Sequence, residues 1–139
     1  MTKNNKNKNK FTVGFTGHRD KVADWFELKD IMDWYGNDKS LVVIHGGAVG
    51  FDNQVHRVVQ QLNSKKYNRA IEEIIIKPDY VNIENKKFAP LKRNEEIVKR
   101  SDVIVALYDG RSKGGTKYTI DRATAKNVDV YYLNPKKIK

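Results

Sequence analysis

Three stretches of this chain combine glycine with hydroxyl or cationic side chains in the way an anion-binding site needs. The first is Gly14-Phe-Thr-Gly-His-Arg19. Glycine lets backbone N–H groups come close to an anion, while Thr16 and Arg19 can add hydroxyl and guanidinium donors. The second is His45-Gly-Gly-Ala-Val-Gly-Phe-Asp52. Its small residues Gly46, Gly47, Ala48 and Gly50 suit a phosphate at a helix N-terminus. The third is Asp109-Gly-Arg-Ser-Lys-Gly-Gly-Thr116, where Gly114 and Gly115 lead into the hydroxyl of Thr116 at another expected helix start. Lys92-Arg93-Asn94 adds two cations and an amide.

Each stretch also has a plainer reading. Gly17 fits an ordinary turn, His18 a donor to a carbonyl, and Arg19 a surface ion pair. Asp52 fits a helix N-cap as well as a ligand contact. The second stretch is no Walker A sequence, because the terminal Lys-Ser/Thr is missing, and no standard G-x-G-x-x-G. His45 and His56 read as structural: no metal-ligand spacing surrounds them, so no metal site is expected.

These residues need elements to position them. Phe11 to Phe15 is a short apolar run and reads as a strand. Val22 to Tyr35 carries apolar residues near helical spacing and is stopped by Gly36 and Asn37. Leu41–Ile44 is a second strand, followed by a helix through Val55, Val58, Val59 and Leu62. Glu73–Lys77 is a third strand, stopped by Pro78. Asp79 to Pro90 has no clear period and reads as a long loop, and Asn94–Arg100 reads as a helix. Val103–Tyr108 is a fourth strand, Thr116–Lys126 a helix, and Val128–Leu133 a fifth strand.

Strands that alternate with helices imply crossovers and a parallel sheet. Near-continuous apolar strands imply that both faces are covered. The expected fold is a three-layer, doubly wound, Rossmann-like α/β domain with a five-stranded parallel sheet. If the strand order is 3-2-1-4-5, all three loops fall on one sheet edge, and strands 1 and 4 flank the switch point where ligands bind. That joint placement predicts a site for a phosphorylated or pyrophosphate-bearing ligand.

Composition narrows the field further. The chain has 139 residues, enough for one domain that buries a core without a metal or disulfide. It has no cysteine, which excludes disulfide frameworks, thiolate metal sites and thiol nucleophiles. No apolar run reaches a membrane-spanning length, and no apolar segment follows the basic start, so no membrane contact and a cytoplasmic location are expected. The net charge is +10, but seven of the lysines lie in residues 1–10 and 136–139, which leaves about +3 for residues 11–135. The expected organisation is a disordered basic tail over 1–10, one domain over 11–135 and a second basic tail over 136–139. The tails leave nucleic acid open as a partner.

Taken together, Gly14-x-Thr-Gly-His-Arg19, Gly46-Gly-Ala-x-Gly-x-Asp52, Lys92-Arg-Asn94 and Gly114-Gly-Thr116 resemble the SLOG superfamily, most of all its stand-alone YspA/YpsA-related members. The resemblance spans about residues 11–134. It implies a Rossmann-like domain for nucleotides or nucleotide-derived ligands such as ADP-ribose. Relatives include LOG-type phosphoribohydrolases, DprA proteins and sensor domains of bacterial defence. Carried over, Thr16, Gly17, His18 and Arg19 would line the pocket with Gly46, Gly47, Ala48, Gly50 and Asp52. Arg93 and Asn94 would contact the ligand, and Gly114, Gly115 and Thr116 would hold phosphate. One position departs: Thr119 stands where LOG-type enzymes carry a catalytic Glu, and threonine has no acid–base function near neutral pH.

Three functions compete at this stage. The leading expectation is a module that senses or sequesters a nucleotide-type ligand unchanged, in a bacterial or phage defence setting, with no cofactor required. The alternatives are a nucleotide or N-glycoside hydrolase using Arg19, Asp52 or His18, and a DprA-like nucleic-acid binder. Aromatic and apolar residues in Trp25–Tyr35 and Val128–Leu133 suggest a homo-oligomer.

Overall fold

A computed structural model describes residues 9–134, 136 and 137. The remaining residues of the expected basic tails, 1–8, 138 and 139, lie outside the described residues. Strand β1 (Lys10–Gly17) opens the domain. A two-residue strand β2 (Lys21–Val22) leads to helix α1 (Trp25–Tyr35). Then follow β3 (Ser40–His45), α2 (Phe51–Leu62) and β4 (Glu72–Ile75). A 3-10 turn (Lys86–Phe88) runs into α3 (Ala89–Arg100). The chain ends in β5 (Val103–Leu107), α4 (Gly115–Ala125), β6 (Asp129–Leu133) and the short β7 (Lys136–Lys137).

The main sheet has five parallel strands in the order β4-β3-β1-β5-β6. This is the expected 3-2-1-4-5 order, with the numbers shifted by β2. Period-two alternation sends β1, β3 and β5 side chains to opposite faces. Val13, Phe15, Val43, Val103 and Val105 join α1 and α2 in one core with Leu28, Met32, Phe51 and Val55. Ile44, Ile104 and Ala106 join α3 and α4 in a second core with Ile97, Val98 and Ile120. Two cores on two faces make the three layers.

Local chemistry explains where element ends moved. Helix α1 starts at Trp25 rather than Val22, because the Asp24 side chain accepts from the Glu27 N–H at 3.1 Å and caps it. Helix α3 starts five residues before the expected Asn94, with Pro90 in its first turn. Proline is tolerated there because that N–H has no helical partner anyway. Asp52 is not an N-cap: Gly50 holds that position without a side-chain cap bond. Lys136–Lys137, expected within a basic tail, pair antiparallel with β2. No helix among the described residues is long and apolar enough to cross a membrane.

Candidate functional site

The chain leaves β1 for β3 on one side and returns to β5 on the other, so β1 and β5 border the switch point. The loops after β1, β3 and β5 therefore meet above the carboxyl ends of the strands. A cleft of about 770 Å³ lies there. Its volume falls within the ordinary range for small-molecule sites, roughly 300–1,000 Å³.

Thr16, Gly17, His18, Arg19, Ala48, Asp52, Arg93, Asn94, Gly114, Gly115 and Thr116 all line it. Gly46, Gly47 and Gly50 are not among its lining residues and lie tight against their neighbours. A Cβ on Gly46 would stand 2.3 Å from Arg93 Nη1, and one on Gly50, whose φ is +82°, would stand 2.3 Å from the Arg19 carbonyl oxygen. The lining also includes Asp20, Lys87, Pro90, Leu91, Arg111, Ser112, Lys113, Lys117, Tyr118 and Asp121. Of these, Lys113 carried a local signal within the glycine-rich loop. Lys87 and Leu91 lie in and beside the stretch without periodicity.

The charge is lopsided. Arg19, Lys87, Arg93, Arg111, Lys113 and Lys117 face three carboxylates, Asp20, Asp52 and Asp121. Two of the cations are paired: Arg111 bridges Asp109 at 2.6 Å and Asp20 at 3.0 Å, and Lys117 pairs with Asp121 at 2.7 Å. The Arg111 guanidinium holds the Asp109 carboxyl well below the usual range. His18 ties the β1 and β5 loops together, because its Nε2 accepts from the Asp109 N–H at 3.2 Å. Burial first, then Arg111, lowers the His18 pKa from its ordinary 6.5, so the neutral ring that this bond needs is favoured.

Helix α4 points its first turn at the cleft. Its N-cap is Gly114 at φ +117°, with no side-chain cap bond, and Thr116 sits in the first turn against the cleft. Such a terminus offers N–H donors and the positive end of a helix dipole.

Arg93 is 9% exposed and donates from Nη1 to the Gly46 carbonyl at 2.8 Å and to the Ile76 carbonyl at 3.2 Å. Its Nε donates to Asn94 Oδ1 at 2.7 Å. The guanidinium is thus spent largely on the frame of the site. Asp52, 8% exposed, accepts from the Ala48 N–H at 3.2 Å through Oδ2, while Oδ1 has no partner. Burial pushes the Asp52 carboxyl up.

The ligand atoms of His45, His56 and Glu73 lie within 4.8 Å of one another, a spacing that the sequence did not reveal. The hydrogen bonds oppose a cation there. His45 Nδ1 accepts from the Gly47 N–H at 3.0 Å, so a neutral ring carries its proton on Nε2 and donates it to Glu73 at 2.6 Å. A metal on Nε2 would need that lone pair free. The group is a hydrogen-bond chain that runs from buried His45 through Glu73 to the half-exposed His56.

With this geometry in place, comparison with known proteins bears on the fold. No protein-family model and no curated protein matches the chain. Among solved structures, the chain is similar to the X-ray structure of TM1055, a structural genomics target, with TM-score 0.53 and 20% identity over 86% of this chain and 72% of that one. The fold is Rossmann-like. The chain also matches the C-terminal domain of PF1911 hydrogenase from Pyrococcus furiosus, at 16% identity and TM-score 0.43 over 88% of this chain and 91% of that one.

Thr119 does not reach the cleft. It is 1% exposed and its hydroxyl donates to the Gly115 carbonyl at 2.7 Å, one turn back along α4.

Proposed function

We propose that the cleft binds a phosphorylated small molecule of nucleotide type and releases it unchanged, as a sensing or sequestering module. One observation carries the reading: an uncapped helix N-terminus with Thr116 opens into a cleft whose cations outnumber its carboxylates. Fixed N–H donors, a hydroxyl and guanidinium groups suit a phosphate better than a neutral or cationic ligand. The resemblance to SLOG domains supports ligands of the ADP-ribose class. Isothermal titration of the full chain with inorganic phosphate, AMP and ADP-ribose tests it. Saturable binding, with the ligand recovered intact by chromatography, is expected. Absence of heat for all three removes the reading.

Asp52 favours a second reading, turnover. A buried carboxyl with a raised pKa in a ligand cleft is the group a hydrolase would use as general acid. Time-resolved chromatography at high protein concentration separates the two: new products support Asp52 chemistry, and unchanged nucleotide removes it.

Self-association rests on exposed aromatics. Phe26 and Trp34 on α1 and Tyr131 on β6 stand in solvent on one face and border a shared groove. Light scattering after gel filtration tests whether a second copy covers them.

A further inference from the structure

The phosphate cleft adjoins a second cavity of about 1,020 Å³, with Leu91 and Tyr118 lining both. Its other walls come from the stretch 83–88, which carries no sequence periodicity, and from the exposed side of α3. The two spaces differ in chemistry. The phosphate cleft has an excess of cations. The second cavity is balanced, with Glu84 and Glu95 against Lys86 and Lys92, and its apolar wall is formed by Ile83, Phe88, Leu91 and Tyr118. A second phosphate would gain little there. A neutral, flat group with polar edges would gain much.

Phe88 is 48% exposed at the end of the 3-10 turn. A large aromatic ring left open to solvent beside a ligand cleft is a stacking surface without an occupant among the described residues. Asn85 and Glu95 supply polar groups on the same walls, and the Glu95 carboxylate already accepts from the Tyr118 hydroxyl. From this we infer that the second cavity is a subsite for a nucleobase-like aromatic ring whose phosphate lies at Gly114–Thr116, with Phe88 as its stacking residue. The inference rests on the phosphate reading above and adds the part of the ligand which that reading leaves open.

The experiment separates the two claims. The full chain is titrated with inorganic phosphate, ribose 5-phosphate and the 5′-monophosphates AMP, GMP, CMP and UMP. At least one nucleotide is expected to bind about ten-fold or more tightly than ribose 5-phosphate, in the range that one stacked base contributes. Phe88→Ala should erase that margin and leave ribose 5-phosphate affinity unchanged, while Phe88→Tyr should keep it. Circular dichroism confirms that the variants stay folded, as an exposed position predicts. If ribose 5-phosphate binds but no nucleotide binds more tightly, the base subsite is wrong and the phosphate reading stands. A margin that survives Phe88→Ala also overturns the assignment of the ring to this cavity. If none of the six ligands binds, both claims fall.

Discussion

Arg93 and His45 grip opposite ends of one peptide unit: Arg93 donates to the Gly46 carbonyl at 2.8 Å, and His45 Nδ1 accepts from the Gly47 N–H at 3.0 Å. The unit so held opens the loop between β3 and α2. Its orientation is set from α3 on one side and from the end of β3 on the other, so two distant parts of the chain share one constraint.

That clamp predicts coupling. Arg93→Met leaves the Gly46 and Ile76 carbonyls without their donor, and His45→Leu leaves the Gly47 N–H without its acceptor. Each buried group stranded in this way costs about 1–3 kcal/mol. Because both side chains hold one peptide, the double variant should lose less than the two singles together, by roughly 0.5–3 kcal/mol. Urea unfolding of the four proteins measures this. Additivity within about 0.3 kcal/mol would show that the clamp is not a unit.

The glycines of the site should sort by their neighbours. Gly50→Ala places a Cβ 2.3 Å from backbone, at a φ of +82°, so both space and conformation oppose it. Gly114→Ala meets nothing within 4 Å and pays only for its φ of +117°. The expected cost is about 1–3 kcal/mol at Gly114 and clearly more at Gly50. Thermal melting decides it. Equal losses at the two positions would mean that contact with the Arg19 backbone is unimportant.

Asp52 predicts a pH dependence of known sign. Burial raises its carboxyl pKa above the ordinary 3.8, so the native state holds this proton more tightly than the unfolded chain. Its contribution to stability is then greatest below 3.8 and falls as pH rises through the native value. Asparagine does not titrate. The stability of Asp52→Asn relative to the parent should therefore grow with pH above about 4. Melting curves from pH 4 to 8 check this, and a constant difference across that range would contradict a raised carboxyl.

Thr119 should resist conversion to the LOG-type residue. The side chain is buried beside α4 backbone rather than in the cleft, so Thr119→Glu would force a carboxylate into a buried position built for a hydroxyl. A loss of roughly 3 kcal/mol or more is expected, with no new hydrolysis of AMP. Thr119→Ser, which keeps the hydroxyl, should cost far less. Calorimetry and chromatography read the two effects. A stable, active Glu variant would place this position in the site after all.

Much of the fold was legible because its signals are local. Apolar runs closed by glycine or proline marked the five main strands, and the near-continuous runs of β3 and β5 supply side chains alternately to the two cores. The loops after β1, β3 and β5 were also legible, since βαβ topology sends such loops to one edge. Residues 79–90 were not. Their apolar side chains, among them Phe88, follow neither strand nor helix period, and Pro90 reads as the end of a loop although it lies in the first turn of α3.

By itself, then, the sequence determined a doubly wound domain and three donor-rich loops, because periodicity and turn chemistry act over a few residues. What each loop residue faces was decided only by tertiary structure. Gly46, Gly47 and Gly50 have the composition of a phosphate cradle, yet Gly46 makes room for the guanidinium of Arg93, Gly50 for the Arg19 backbone, and none of the three lines the cleft. Arg93 looks like a ligand contact and serves largely as a clamp. Such assignments depend on side chains brought together across 47 residues of chain, and no local pattern encodes a contact at that separation.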